Sequence, residues 1–140
     1  MFSNKFIASM FLAALSSAGI AHAQDMTLGE FEYQNSCAAC HGMSGKGDGP
    51  VTDFLSGAVV PDLTMLQENN GGVFPVAAVF ATIDGSETAS AHGTRDMPIW
   101  GSRLRARASS DPDFSPSDAE AFSQARILAL IEYISSLQKQ

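Results

Sequence analysis

The residues of this sequence best equipped for chemistry lie together in Cys37-Ala38-Ala39-Cys40-His41, which holds both cysteines of the chain. With two cysteines, a disulfide-built scaffold is excluded. Thiols three residues apart share one side of a helical turn, where they can add across the two vinyl groups of a single haem. The next residue, His41, is then aimed at the iron. Two cysteines in a chain of this length fall into C-x-x-C-H by accident roughly 3 times in 10,000. A redox dithiol asks instead for a strand before the motif and a helix after it. Here a helical pattern precedes the motif and the Gly-rich run Gly42 to Gly49 follows it. A zinc site needs more ligands, and past the leader His92 is the one other histidine. The spacing therefore predicts one covalently bound haem c, with Cys37 and Cys40 as thioethers and His41 as an axial ligand to iron.

An iron held by one histidine keeps an open face unless a second side chain fills it, and a methionine there raises the reduction potential. Beyond the leader the methionines are Met26, Met43, Met65 and Met97. Met26 and Met43 stand too near the attachment motif to reach the far face. Met65, in Leu63-Thr64-Met65-Leu66, reads as core packing. Met97 lies in Arg95-Asp96-Met97-Pro98-Ile99-Trp100-Gly101, in a loop stiffened by Pro98 and closed by Gly101. Met97 is the expected second axial ligand. His92 reads as a loop histidine, and as a substitute ligand only if Met97 is lost.

Other elements must carry these groups. Thr27-Leu28-Gly29-Glu30 has the spacing of a capping box and predicts the first helix, with Gly29, Tyr33 and Cys37 on one stripe. Asn69-Asn70-Gly71-Gly72 is a turn signal. Pro75 suits a first helical position, Val76, Val79, Phe80 and Ile83 follow at helical spacing, and Gly85 ends that helix. Ser115-Pro116-Ser117-Asp118 opens a last helix reaching about Gln138. Its apolar stripe is Ile127, Leu130, Ile134 and Leu137, widened by Leu128 and Ile131. No alternating strand pattern and no internal repeat is found, so the fold class is all-α.

Length and charge bound the rest. Residues 1–23 read as a secretory signal peptide: Lys5, an apolar run from Phe6 to Ile20, and the small-x-small ending Ala21-His22-Ala23. That run is too short for a permanent bilayer span, which needs about 20 residues. Residues 24–140 then form one domain outside the cytoplasm, in the periplasm of a Gram-negative source. The chain has 8 basic against 15 acidic residues, a balance that argues against nucleic acid.

These residues resemble the class I cytochrome c family over nearly the whole mature chain, from about Thr27 to Leu137. The resemblance rests on Cys37-Ala38-Ala39-Cys40-His41, Pro61-Asp62-Leu63-Thr64, Met97-Pro98 and a final amphipathic helix containing Tyr133. It implies four to five helices with long loops around one haem, and a close crossing of the first and last helices through Gly29, Tyr33 and Tyr133. It also implies that the carbonyl of Pro61 accepts a hydrogen bond from the proximal histidine. Trp100 is expected either at the haem edge, where its N–H could reach a propionate, or as a core tryptophan. Arg103, Arg105 and Arg107 read either as a solvated polar loop or as a basic patch for an acidic partner.

The function expected is one-electron carriage by a His41/Met97-ligated haem, since an iron closed on both faces has no place for a substrate. The protein is read as a monomer without catalytic residues, working between a redox donor and an acceptor, with the haem edge exposed near Ala38 and Ala39. Two alternatives stay open: a haem c subunit of a periplasmic oxidase or dehydrogenase complex, and a gas-binding or enzymatic haem protein.

Overall fold

A side-chain cap starts the first helix. In this computed structural model, which describes residues 25–55, 59–86 and 97–139, the Thr27 hydroxyl accepts from the Glu30 N–H at 3.1 Å and opens α1 (Leu28–Ser36). The Glu30 carboxylate takes Gln34 Nε2 at 3.2 Å, so only the threonine half of the expected box is made. Cys37 follows and leads into α2 (Ala38–His41). The signal-peptide reading and His92 lie outside the described residues.

The longest helix, α6 (Pro116–Ser136), begins with a complete capping box. Ser115 Oγ accepts from the Asp118 N–H at 3.2 Å, and Asp118 accepts from the Ser115 N–H at 2.9 Å. The Ser115 hydroxyl, donating to the carboxylate at 2.6 Å, and then the Ser115 N–H hold the Asp118 carboxyl below the usual carboxylate range. The helix ends two residues short of the expected Gln138. Ile127, Leu130, Ile131 and Ile134 are buried, but Leu128 is 53% exposed and does not widen the stripe.

Where α1 meets α6, the backbones nearly touch. A Cβ on Gly29 would sit 2.0 Å from the Ala129 carbonyl oxygen and 2.9 Å from Tyr133 Cβ. Backbone cannot yield there, so only glycine fits. One turn on, Tyr33 is fully buried with its ring 5.1 Å from that of Tyr133, and its hydroxyl donates to the Gly42 carbonyl at 2.7 Å.

The middle of the chain packs on this pair. After two 3₁₀ turns (Thr52–Phe54 and Leu63–Met65) comes the short α3 (Leu66–Asn69). Next is α4 (Val76–Asp84), with Pro75 one position outside it and Gly85 closing it at φ +86°. Ile83 is buried and Val79 and Phe80 pack half-buried against the core, whereas Val76, at the start of the predicted stripe, is exposed. The family's four to five helices become six α-helices among the described residues because α2 and α3, of four residues each, are counted. No strand occurs among the described residues. The fold is all-α.

One helix was not expected. Residues after Met97 read as a polar loop, but Trp100–Ala108 form α5. Gly101 does not close the Met97 loop. It lies in the first turn of α5, buried against Asp84, and its carbonyl accepts from Ser123 Oγ at 3.3 Å. Gly101, Leu104 and Ala108 are buried at steps of three and four, a short helical stripe hidden by the arginines between them. Those arginines are not a free basic patch. Arg105 pairs with Asp84 at 2.8 Å and with Glu120 at 3.4 Å, which raises its pKa, while Arg107 reaches Glu32 at 3.5 Å. Arg103 lies over the Trp100 ring, 5.0 Å from its centroid. Glu32, 2% exposed, also pairs with Arg126, so one carboxylate joins α1, α5 and α6.

Ile134→Ala is expected to cost about 2–5 kcal/mol, the usual range for a buried large-to-small change. It should lower Tm while leaving the oxidised absorption spectrum unchanged at low temperature. An unchanged Tm would place α6 outside the core. Glu32→Ala should cost about 3–5 kcal/mol, because it strands Arg126 without its partner; a variant within 1 kcal/mol of wild type, about a factor of 5 in the folding equilibrium, would refute that role.

Candidate functional site

The short helix α2 ends in His41, and its last carbonyls would be left unpaired without the loop that follows. That loop folds back over them. Gly47 N–H donates to the His41 carbonyl at 2.9 Å, Gly49 N–H to Cys40 at 3.0 Å, and Val51 N–H to Ala39 at 3.0 Å. Gly47 has φ +77°, and a Cβ there would lie 2.3 Å from the Val60 carbonyl oxygen. Its missing side chain lets residues 60 and 61 close on the motif, and Leu63 N–H adds a 2.7 Å bond to the Gly45 carbonyl.

This approach brings the Pro61 carbonyl oxygen to 3.3 Å from His41 Nδ1. A carbonyl can only accept, so Nδ1 carries the hydrogen and Nε2 keeps its lone pair. His41 is 7% exposed. Burial lowers its pKa and the bond to Pro61 partly opposes that, so the neutral, metal-binding imidazole is favoured. Burial likewise pushes the Cys37 thiol up to about 12, with Cys40 adding to it. A redox dithiol works through a thiolate of lowered pKa, the opposite condition. Among the described residues no cluster of three or more His, Cys, Asp or Glu could hold a bare metal ion.

Beside His41 opens a cleft lined by Ser36, Cys37, Cys40, His41, Leu55, Val59, Val60, Pro61, Met97, Pro98 and Trp100. Its wall is mostly apolar, with two sulfurs and an imidazole on one side and a thioether among the remaining residues. This donor set suits a haem bound by two thioethers and held at the iron by nitrogen and sulfur.

All six site residues named from sequence, Cys37, Cys40, His41, Pro61, Met97 and Trp100, line this one cleft. The other methionines beyond the leader do not. Met26 and Met43 are exposed, and Met65 accepts from Lys139 Nζ at 3.1 Å. Ala38 is buried in the core with Tyr33 and Ile127, Ala39 is exposed, and neither lines the cleft. Leu55, Val59 and Val60, absent from the sequence reading, form part of the wall. Nothing in their spacing marks them, because they belong to irregular chain.

A family model described as Cytochrome c matches residues 27–138. No curated protein and no solved structure matches the chain significantly.

With the cysteines as thioethers, haem should stay with the polypeptide through acid-acetone extraction, and no free thiol should react with an alkylating reagent. Recovery of two alkylatable cysteines from the exported protein would contradict this. Cys37→Ala should leave a single thioether and a smaller yield of mature protein.

Proposed function

The chain belongs to the cytochrome c family, a haem c electron-transfer protein, and from that premise we propose that it is a periplasmic one-electron carrier whose iron is held by His41 and Met97. One observation carries this reading. A single cleft gathers Cys37, Cys40 and the buried His41, and of the four methionines beyond the leader Met97 alone joins them.

Bound haem c supplies a one-electron iron couple. The protein's part is to hold and shield it. Cys37 and Cys40 anchor the ring at one wall. His41 presents Nε2 while its Nδ1–H is held by the Pro61 carbonyl, which fixes the ring and makes the imidazole more electron-donating. Met97 would supply a soft, neutral sulfur to the iron, a donor that favours the ferrous state. Trp100 is half-buried in the same wall, beneath Arg103. With His41 and Met97 both holding the iron, no place would be left for a substrate, and these residues would act as ligands and not as a catalytic acid, base or nucleophile.

The partners are a redox donor and an acceptor, and the carrier is a monomer. An export signal at residues 1–23 places it in the periplasm. No helix among the described residues is long and apolar enough to cross a membrane.

Met97→Ala is the decisive test. Three linked changes are expected: loss of the weak sulfur-to-ferric-iron absorption band, a fall in reduction potential, and new binding of carbon monoxide to the reduced protein. If the variant keeps its band and excludes carbon monoxide, Met97 is not the ligand, and Met65 is next to be substituted. Free binding of carbon monoxide by the wild type would replace the carrier reading with a gas-binding or enzymatic one.

A further inference from the structure

The segment that brings Pro61 to His41 is gripped from two sides. On the motif side, Leu63 N–H donates to the Gly45 carbonyl at 2.7 Å. On the other side lies the end of the chain, just past α6. Gln138 Oε1 accepts from the Gln67 N–H at 2.9 Å, and Gln138 Nε2 donates both to the Leu63 carbonyl at 2.7 Å and to the Ile134 carbonyl at 2.9 Å. Lys139 N–H then donates to the Thr64 carbonyl at 3.1 Å, and Lys139 Nζ lies 3.5 Å from Asp62 Oδ2. One amide thus makes three hydrogen bonds, two of them to backbone more than 70 residues away.

A surface glutamine seldom does this by accident, since ordering its side chain costs up to about 2 kcal/mol of rotamer freedom. Its bonds pin both ends of residues 63–67 to the rigid end of α6. Leu63 stands two residues after Pro61, and the chain between them is irregular. Without the Gln138 side chain, that side would keep only the Lys139 contacts with Thr64 and Asp62, and the Pro61 carbonyl would be held chiefly from the motif side, through Gly45 and the Gly47 approach.

We propose that Gln138 is a positioning residue for the axial histidine: by clamping residues 63–67 to the end of α6, it keeps the Pro61 carbonyl on His41 Nδ1 and so holds the reduction potential down. The inference rests on His41 being the iron ligand, as proposed above. A carbonyl that accepts from Nδ1 makes the imidazole a stronger donor and favours ferric iron. A loosened carbonyl weakens that effect, so the potential rises.

The test compares holoproteins of wild type, Gln138→Leu, Gln138→Glu and Ile127→Ala, well below their melting temperatures. Gln138→Leu removes all three bonds. Gln138→Glu keeps an acceptor for Gln67 and loses the donor to Leu63. Ile127 is fully buried on α6, does not line the cleft, and controls for plain destabilisation. Both Gln138 variants should raise the midpoint potential, Gln138→Leu more than Gln138→Glu. Exchange of the His41 ring N–H, followed by NMR in the reduced protein, should speed up by about tenfold in Gln138→Leu, as loss of one hydrogen bond permits. Ile127→Ala should lower Tm and leave both readouts in place. The clasp is refuted if Gln138→Leu keeps the wild-type potential and exchange rate, or if Ile127→Ala shifts them equally. A wild-type ferric spectrum without a low-spin histidine ligand would instead overturn the ligand assignment itself.

Discussion

The near contact of two backbones at Gly29 is the constraint on which the other packing depends. With no Cβ between them, α1 and α6 approach until the glycine meets the Ala129 carbonyl. At that distance Tyr33 is forced wholly into the interface, against Tyr133 and beside Ile127 and Ile134. Burying each large aliphatic side chain is worth about 1.5–3 kcal/mol. The tyrosine hydroxyl then ties the crossing to the loop after the motif through the Gly42 carbonyl. The helix that carries the first cysteine is therefore anchored at its start by the glycine contact and past its end by a hydrogen bond. The thiols inherit their position from that anchoring.

Charge is arranged around the same crossing. Glu32, on α1 beside Tyr33, is buried and would be costly alone; Arg126 of α6 and Arg107 of α5 offset that cost. Such an ion group adds little net stability compared with an apolar core, but losing one partner leaves a buried charge. It specifies which helices meet. It also uses basic residues inward. Arg105 is spent in the same way on Asp84 and Glu120. With these cations neutralised at home, the exterior of an already acidic chain is left more acidic.

The cleft shows how a site can be built mainly from irregular chain without being loose. Its walls come from the end of α1 and α2, from Leu55 and residues 59–61, and from the Met97–Trp100 segment. Each is braced by something regular. The loop after His41 caps α2, the Pro61 segment is pressed on that loop at Gly47, and Met97 is followed directly by α5, which packs on α6 and on the end of α4. Regular elements thus brace each wall of the cleft from behind, the condition under which a site keeps its geometry.

By itself the sequence determined the chemistry. Spacing within five residues identifies the haem attachment, and local capping and periodicity locate α1, α4 and α6, because those signals act over one or two helical turns. The same reading went astray where local signals were weak or masked. The stripe of α5 is only Gly101, Leu104 and Ala108, too small and too interrupted by arginine to register as apolar, and its stability comes from contacts with Asp84, Ser123 and Glu120. Leu128 has the right spacing for the core, yet α6 is rotated so that it faces solvent. Tertiary structure alone decided that Glu32 is buried among arginines and that Gln138 clasps the segment after Pro61. Each of these pairs groups 71 to 94 residues apart, and such pairings are set by how whole helices pack, for which a single sequence carries no period to read.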